Sequence, residues 1–134
     1  AASNLGYQIK IIRYDRYNNK EYRRILNKSK ILVYFVNQES QGLATAEAWA
    51  CDTPTLIWNN TSTVINGEKV ESSCCPYLSQ DCGKFFNNLD DFKKILVSEM
   101  NSKNNYRPRE WVLKNMTYEV SVKKLINLIE ETKA

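Results

Sequence analysis

The tightest constraint in this chain is a strand, a helix and a second strand fitted into residues 31 to 58. Ile31-Leu32-Val33-Tyr34-Phe35-Val36 is an unbroken apolar and aromatic run, the pattern of a parallel strand covered on both faces. Leu43 to Cys51 is rich in alanine, the strongest helix former. Asp52-Thr53-Pro54 then turns sharply into Thr55 to Trp58, a second strand. A helix between two strands of one sheet carries the chain back along the sheet, so the strands lie parallel, and such crossovers are nearly always right-handed.

The flanks extend this unit. Residues 7 to 14 combine β-branched and aromatic residues with partial alternation and predict a half-covered strand. Residues 19 to 28 change period, with Tyr22, Ile25 and Leu26 on one helical face and Arg and Lys on the other. Residues 59 to 82 are rich in Asn, Ser and Thr and predict a long loop with one short element. Gly83 to Phe86 is a candidate brief strand, and Asn88 a candidate N-cap for a helix with Asp90 and Asp91 in its first turn. Phe92, Ile95 and Leu96 supply that helix with its buried stripe, and Pro108 permits a new helix holding Trp111, Val112 and Met116. The last helix carries Tyr118, Val122, Leu125, Ile126 and Ile129 at helical spacing. The expected architecture is one α/β domain over residues 1 to 134, a doubly wound, Rossmann-like parallel sheet.

Composition removes several chemistries. There is no histidine, so the usual general base, the Ser-His and Cys-His nucleophile pairs and the commonest metal ligand are missing. Cys51, Cys74, Cys75 and Cys82 lack the spacing of a structural zinc site and read as reduced, structural thiols of a reducing compartment. The net charge of +4 comes from scattered basic residues, which suits an anionic ligand without calling for nucleic acid. The first residues, Ala1-Ala2-Ser3-Asn4, have no apolar core, and no apolar run approaches the roughly 20 residues of a membrane span. The expected location is the cytoplasm.

In such a sheet, ligands bind beyond the carboxyl ends of the strands, where residues 37 to 47 lie. Gly42 lets a backbone approach closely, and the helix opening beside it offers unpaired N–H groups and a positive dipole end. Glu39 precedes that helix and Glu47 lies more than one turn within it. A sugar nucleotide fits this layout, with amides for the diphosphate and carboxylates for hydroxyls of ribose and sugar. On spacing alone, a solvated loop acid and an exposed helix acid explain the same two residues.

The surrounding residues are more specific. Glu39-Ser40-Gln41-Gly42-Leu43-Ala44-Thr45-Ala46-Glu47-Ala48-Trp49-Ala50-Cys51-Asp52-Thr53-Pro54 resembles the Glu-x7-Glu signature of retaining GT-B glycosyltransferases, usually E-x-F-G-L-x-x-x-E-A-M-A-C-G-T-P. Both glutamates, the Gly-Leu pair, the Glu-Ala-x-Ala-Cys run and the closing Thr-Pro are present. Arg109-Glu110-Trp111-Val112 and the final amphipathic helix resemble the family's C-terminal end. Gln41, Trp49 and Asp52 depart from the usual Phe, Met and Gly, and Trp58-Asn59-Asn60 lacks a Gly pair often found there.

The resemblance implies the donor-binding, C-terminal half of a GT-B enzyme that transfers a hexose with retention, in carbohydrate biosynthesis. It implies that Glu39 contacts the transferred sugar and is the catalytic residue, that Glu47 holds the ribose, and that the amides of Gly42 and Leu43 receive the diphosphate. Ser40, Gln41 and Thr45 would complete the donor site. No cofactor or metal is implied, and no Asp-x-Asp of metal-dependent transferases occurs. The acceptor-binding lobe and the basic clamp on the diphosphate would precede residue 1, so this chain alone would be an incomplete enzyme, with peripheral membrane association open to its full-length parent. Two residues outside the motif, Tyr14 and Arg16, are candidates for the nucleotide base, by stacking and by pairing. Surface packing explains them about as well. The alternatives are a nucleotide-sugar-binding module without turnover and an unrelated doubly wound regulatory or interaction domain.

Overall fold

The computed structural model describes residue 3 and residues 6–13, 15–102 and 105–132. Its elements run α1 (Asn19–Leu26), β1 (Leu32–Tyr34), α2 (Leu43–Ala50), β2 (Thr55–Trp58), β3 (Ser62–Ile65), β4 (Glu68–Glu71), β5 (Gly83–Phe86), α3 (Leu89–Asn101), α4 (Pro108–Asn115) and α5 (Tyr118–Glu131). Strands β1, β2 and β5 form a parallel sheet with β2 at its centre, and β3 and β4 form a separate antiparallel hairpin.

Alternation along β2 sends Ile57 to one face of the sheet and Leu56 to the other. Ile57 packs with Trp49 of α2 and Trp111 and Val112 of α4. Leu56 packs with Phe86 of β5 and with Phe92 and Leu96 of α3. Helices therefore cover both faces, which is why all but the last residue of β2 is buried and apolar or hydrogen-bonded. A third cluster joins Tyr22 and Leu26 of α1 to Ala48 of α2. The pair β1 and β2 is the unit read from residues 31 to 58, with β2 as read and β1 shortened at both ends.

Two expectations are corrected. Residues 7–13 form no strand. Only Tyr7 and Ile12 of that segment pack against core clusters, while Ile9 and Ile11 stand 48% and 74% exposed. β-Propensity expresses a fit to a covered, paired surface, and this segment has no ladder partner to supply one. Residues 59 to 82 hold two paired strands where one short element was expected. Their β3–β4 hairpin closes on Asn66 and Gly67, which have φ of 52° and 85°, the left-handed pair that a primed two-residue turn requires.

The remaining helices start as the residues suggest. The Asn18 side chain accepts the Glu21 amide at the head of α1, and Asn88 accepts the amides of Asp90 and Asp91 at the head of α3. Helix α5 is formed, but none of its residues is buried, and Leu125 and Leu128 are largely exposed. Among the described residues, no helix is long and apolar enough to cross a membrane.

Candidate functional site

The chain leaves β1 at the carboxyl edge of the sheet and enters α2 through Gly42. That glycine has φ 70° and ψ 51°, a left-handed conformation, and no side chain caps the helix. A Cβ placed there would lie 2.8 Å from Thr45 Oγ1. The Gly42 carbonyl accepts the amides of Thr45 and Ala46, whereas the amides of Gly42, Leu43 and Ala44 donate to no described residue. The N-terminus of α2 thus carries successive unpartnered N–H groups at the positive end of the helix, Gly42 itself being buried and Leu43 exposed.

Glu39 is fixed at both ends. Its amide donates to the Ser73 carbonyl at 2.8 Å, and its Oε1 accepts from the Tyr34 hydroxyl at 2.8 Å. Burial, and then the bond to Glu39 and its charge, push the Tyr34 phenol well above its ordinary pKa. The phenol therefore stays a donor at neutral pH. Glu47 projects from the exposed side of α2. Its charge, after burial and Tyr17, contributes to raising the pKa of Tyr22, whose hydroxyl donates to the Ala44 carbonyl at 2.9 Å. Tyr17 and Tyr22 stack at a tilt with ring centroids 5.0 Å apart. Glu39 is thus tied to Tyr34 by a hydrogen bond, and Glu47 lies near enough to Tyr22 for its charge to act there.

The other expected site residues are placed as follows. Ser40, Gln41 and the Leu43 side chain are exposed at the mouth. Thr45 is fully buried, its hydroxyl donates to the Gly42 carbonyl at 2.7 Å, and it meets Cys75 Sγ at 3.6 Å. That hydroxyl holds the turn at the head of α2. Arg16 is exposed and lines a depression of about 310 Å³ with Lys10, Arg13, Tyr17 and Glu21. Tyr14 lies outside the described residues.

Tyr34 and Ser73 were not singled out from the sequence, and Tyr22 only as part of an apolar helical face. Tyr34 ends a strand on the alternation that faces α2, a pattern that could have found it. Ser73 acts through its carbonyl, which leaves no mark on the sequence. The four cysteines are free thiols, and burial raises the pKa of Cys75 and of Cys82, keeping both protonated.

No protein-family profile, curated protein or solved structure matches this chain.

Proposed function

We propose that this chain is the nucleotide-sugar-binding domain of a retaining glycosyltransferase, built on one half of a GT-B fold of doubly wound type. The observation that carries the reading is the N-terminus of α2, whose amides at residues 42 to 44 have no partner among the described residues and no side-chain cap, placed within a Glu-x7-Glu sequence whose first carboxylate is held by Tyr34. The diphosphate of the donor would lie across the amides of residues 42 to 44, where the helix dipole offsets its charge. Glu47 would accept hydrogen bonds from the ribose hydroxyls. Glu39, held by Tyr34, would do so from the sugar.

Bond cleavage at the anomeric carbon moves negative charge onto the diphosphate, and pre-oriented amides favour that charge more than they favour the bound donor. A fixed Glu39 contributes by holding the sugar in the reacting geometry. This chemistry needs no histidine, and the reading includes no metal. It places the protein in the cytoplasm, where sugar nucleotides are made, with the accepting molecule on a second lobe.

Residues 37 to 47 contain no Lys or Arg, which favours as a second reading a module that binds sugar nucleotides without turning them over. Calorimetric titration with uridine, guanosine and adenosine diphosphates tests the common ground of both readings. Binding by one of them, weakened by Glu47→Gln, is expected. A folded domain that responds to none of them would remove both readings. Donor hydrolysis compared between the native chain and Glu39→Gln separates the two, since an equal rate takes Glu39 out of the mechanism.

A further inference from the structure

Every strand of the main sheet delivers aromatic rings and asparagines to the same edge. Phe35 and Asn37 follow β1, Trp58 leads into Asn59 and Asn60 at the end of β2, and Phe86 leads into Asn87 and Asn88 at the end of β5. The asparagines are cross-linked. Asn60 Nδ2 donates to the Asn37 carbonyl at 2.8 Å, Asn59 Nδ2 donates to Asn87 Oδ1 at 2.8 Å, and Asn87 Nδ2 donates to Asp91 at 3.2 Å. The rings of Phe35 and Trp58 both meet Phe86 edge-on, with centroids 5.5 and 5.6 Å away. Because Phe86 is buried among Leu56, Phe92 and Leu96, these two outer rings rest on a rigid base.

Between them opens a groove of about 520 Å³ lined by Phe35, Val36, Asn37 and Trp58. Phe35 is 67% exposed there. The Asn37 carboxamide has no hydrogen-bond partner among the described residues. The groove is distinct from the helix mouth. Phe35 turns toward the α3 side through Phe86, whereas its neighbour Tyr34 turns to Glu39 and α2.

The lining selects its occupant. Aromatic faces carry partial negative charge and attract the weakly positive C–H groups of a sugar ring, while free carboxamides pair with its hydroxyls. No charged side chain lines the groove, so a nucleotide could stack there but would find nothing to balance its phosphate. A purely aliphatic chain would leave the Asn37 amide unsatisfied. We propose that this groove is a stacking subsite for one neutral sugar ring of a glycan. Identifying that glycan as the acceptor of the transfer rests on the reading above; the subsite itself does not.

Amide and indole NMR of the whole chain, titrated with maltotriose, cellotriose and chitotriose, tests this. At least one trisaccharide is expected to shift Asn37, Asn60 and the Trp58 indole N–H. Phe35→Ala, an exposed position whose spectrum checks folding, should weaken that response by at least about tenfold, and Asn37→Ala should weaken it as well. The shifts that uridine or guanosine diphosphate produces at residues 42 to 44 should be the same in Phe35→Ala. A sugar response that persists when no diphosphate binds supports the subsite while removing the transferase reading. The proposal is overturned if none of the three sugars moves the groove, if folded Phe35→Ala binds as the native chain does, or if uridine shifts the groove more than every sugar.

Discussion

At the residue scale, Gly42 and Tyr34 determine what the mouth of α2 can do. Gly42 sits at φ 70°, where any side chain is strained, and an added Cβ would press Thr45 Oγ1 away from the carbonyl it bonds. Gly42→Ala is therefore expected to cost about 1–2 kcal/mol of stability in urea denaturation. It should also weaken diphosphate binding, because relieving the strain turns the first amides of the helix. A stability equal to that of the native chain would show that the turn is not held as described. The positions of the glutamates, Gly42 and the uncapped helix end were legible because each leaves a residue type at a fixed spacing. The support of Glu39 was hidden for a physical reason: one support is a main-chain carbonyl at Ser73, and the other is a tyrosine that any strand might carry.

At the scale of elements, the covered sheet and the capped helices were legible, and the marginal pieces were not. The run from Ile31 to Val36 reads as a strand from its residues alone, although its strand is the edge strand Leu32–Tyr34, with no fully buried residue and Phe35 exposed beyond it. Residues 7–13 have a comparable β-propensity, but a strand depends on a neighbour that propensity does not encode. The Asn66-Gly67 turn was present in the sequence as a hairpin signal and was submerged in the polar stretch around it. The amphipathic pattern of α5 is real, yet the described fold does not bury it. Leu125→Ala should therefore change stability by only about 0.5 kcal/mol or less. Leu96→Ala, which opens space beneath Phe86 and Phe92, should cost about 2–5 kcal/mol. Equal costs at the two positions would mean that α5 packs in solution. The staple between β5 and α3 is a further check. Lys84 Nζ lies 2.7 Å from Glu99 Oε1, and the Glu99 side chain is 4% exposed. Lys84→Ala should cost about 1–3 kcal/mol, more than an exposed pair would, because it leaves a buried carboxylate short of a partner.

At the scale of the whole molecule, burial keeps three tyrosines and two cysteines protonated, and this shapes the alkaline side of the fold's stability. Burial raises the pKa of Tyr22, Tyr34 and Tyr106, aided by Tyr17 and Glu47 at Tyr22 and by Glu39 and Glu99 at the other two. Cys75 and Cys82 are raised mainly by burial. For each group the folded pKa exceeds the unfolded one, so its contribution is fully present below the unfolded pKa. It is lost as pH climbs toward the folded value, because over that interval the unfolded chain has released a proton that the folded chain still holds. Stability should thus begin to fall near pH 8.5 to 9, as the thiols of the unfolded chain ionise, and more steeply above about pH 10, where its tyrosines follow. Each group contributes a slope of at most about 1.4 kcal/mol per pH unit. Urea midpoints measured from pH 7 to 11 test the sum, and Tyr34→Phe tests one part: it should lessen the fall above pH 10 while lowering stability at pH 7 by about 1 kcal/mol through the lost bond to Glu39. A native chain whose midpoint holds level to pH 11 would mean that these phenols and thiols reach solvent, and that the Tyr34 bond holding Glu39 is not formed in solution.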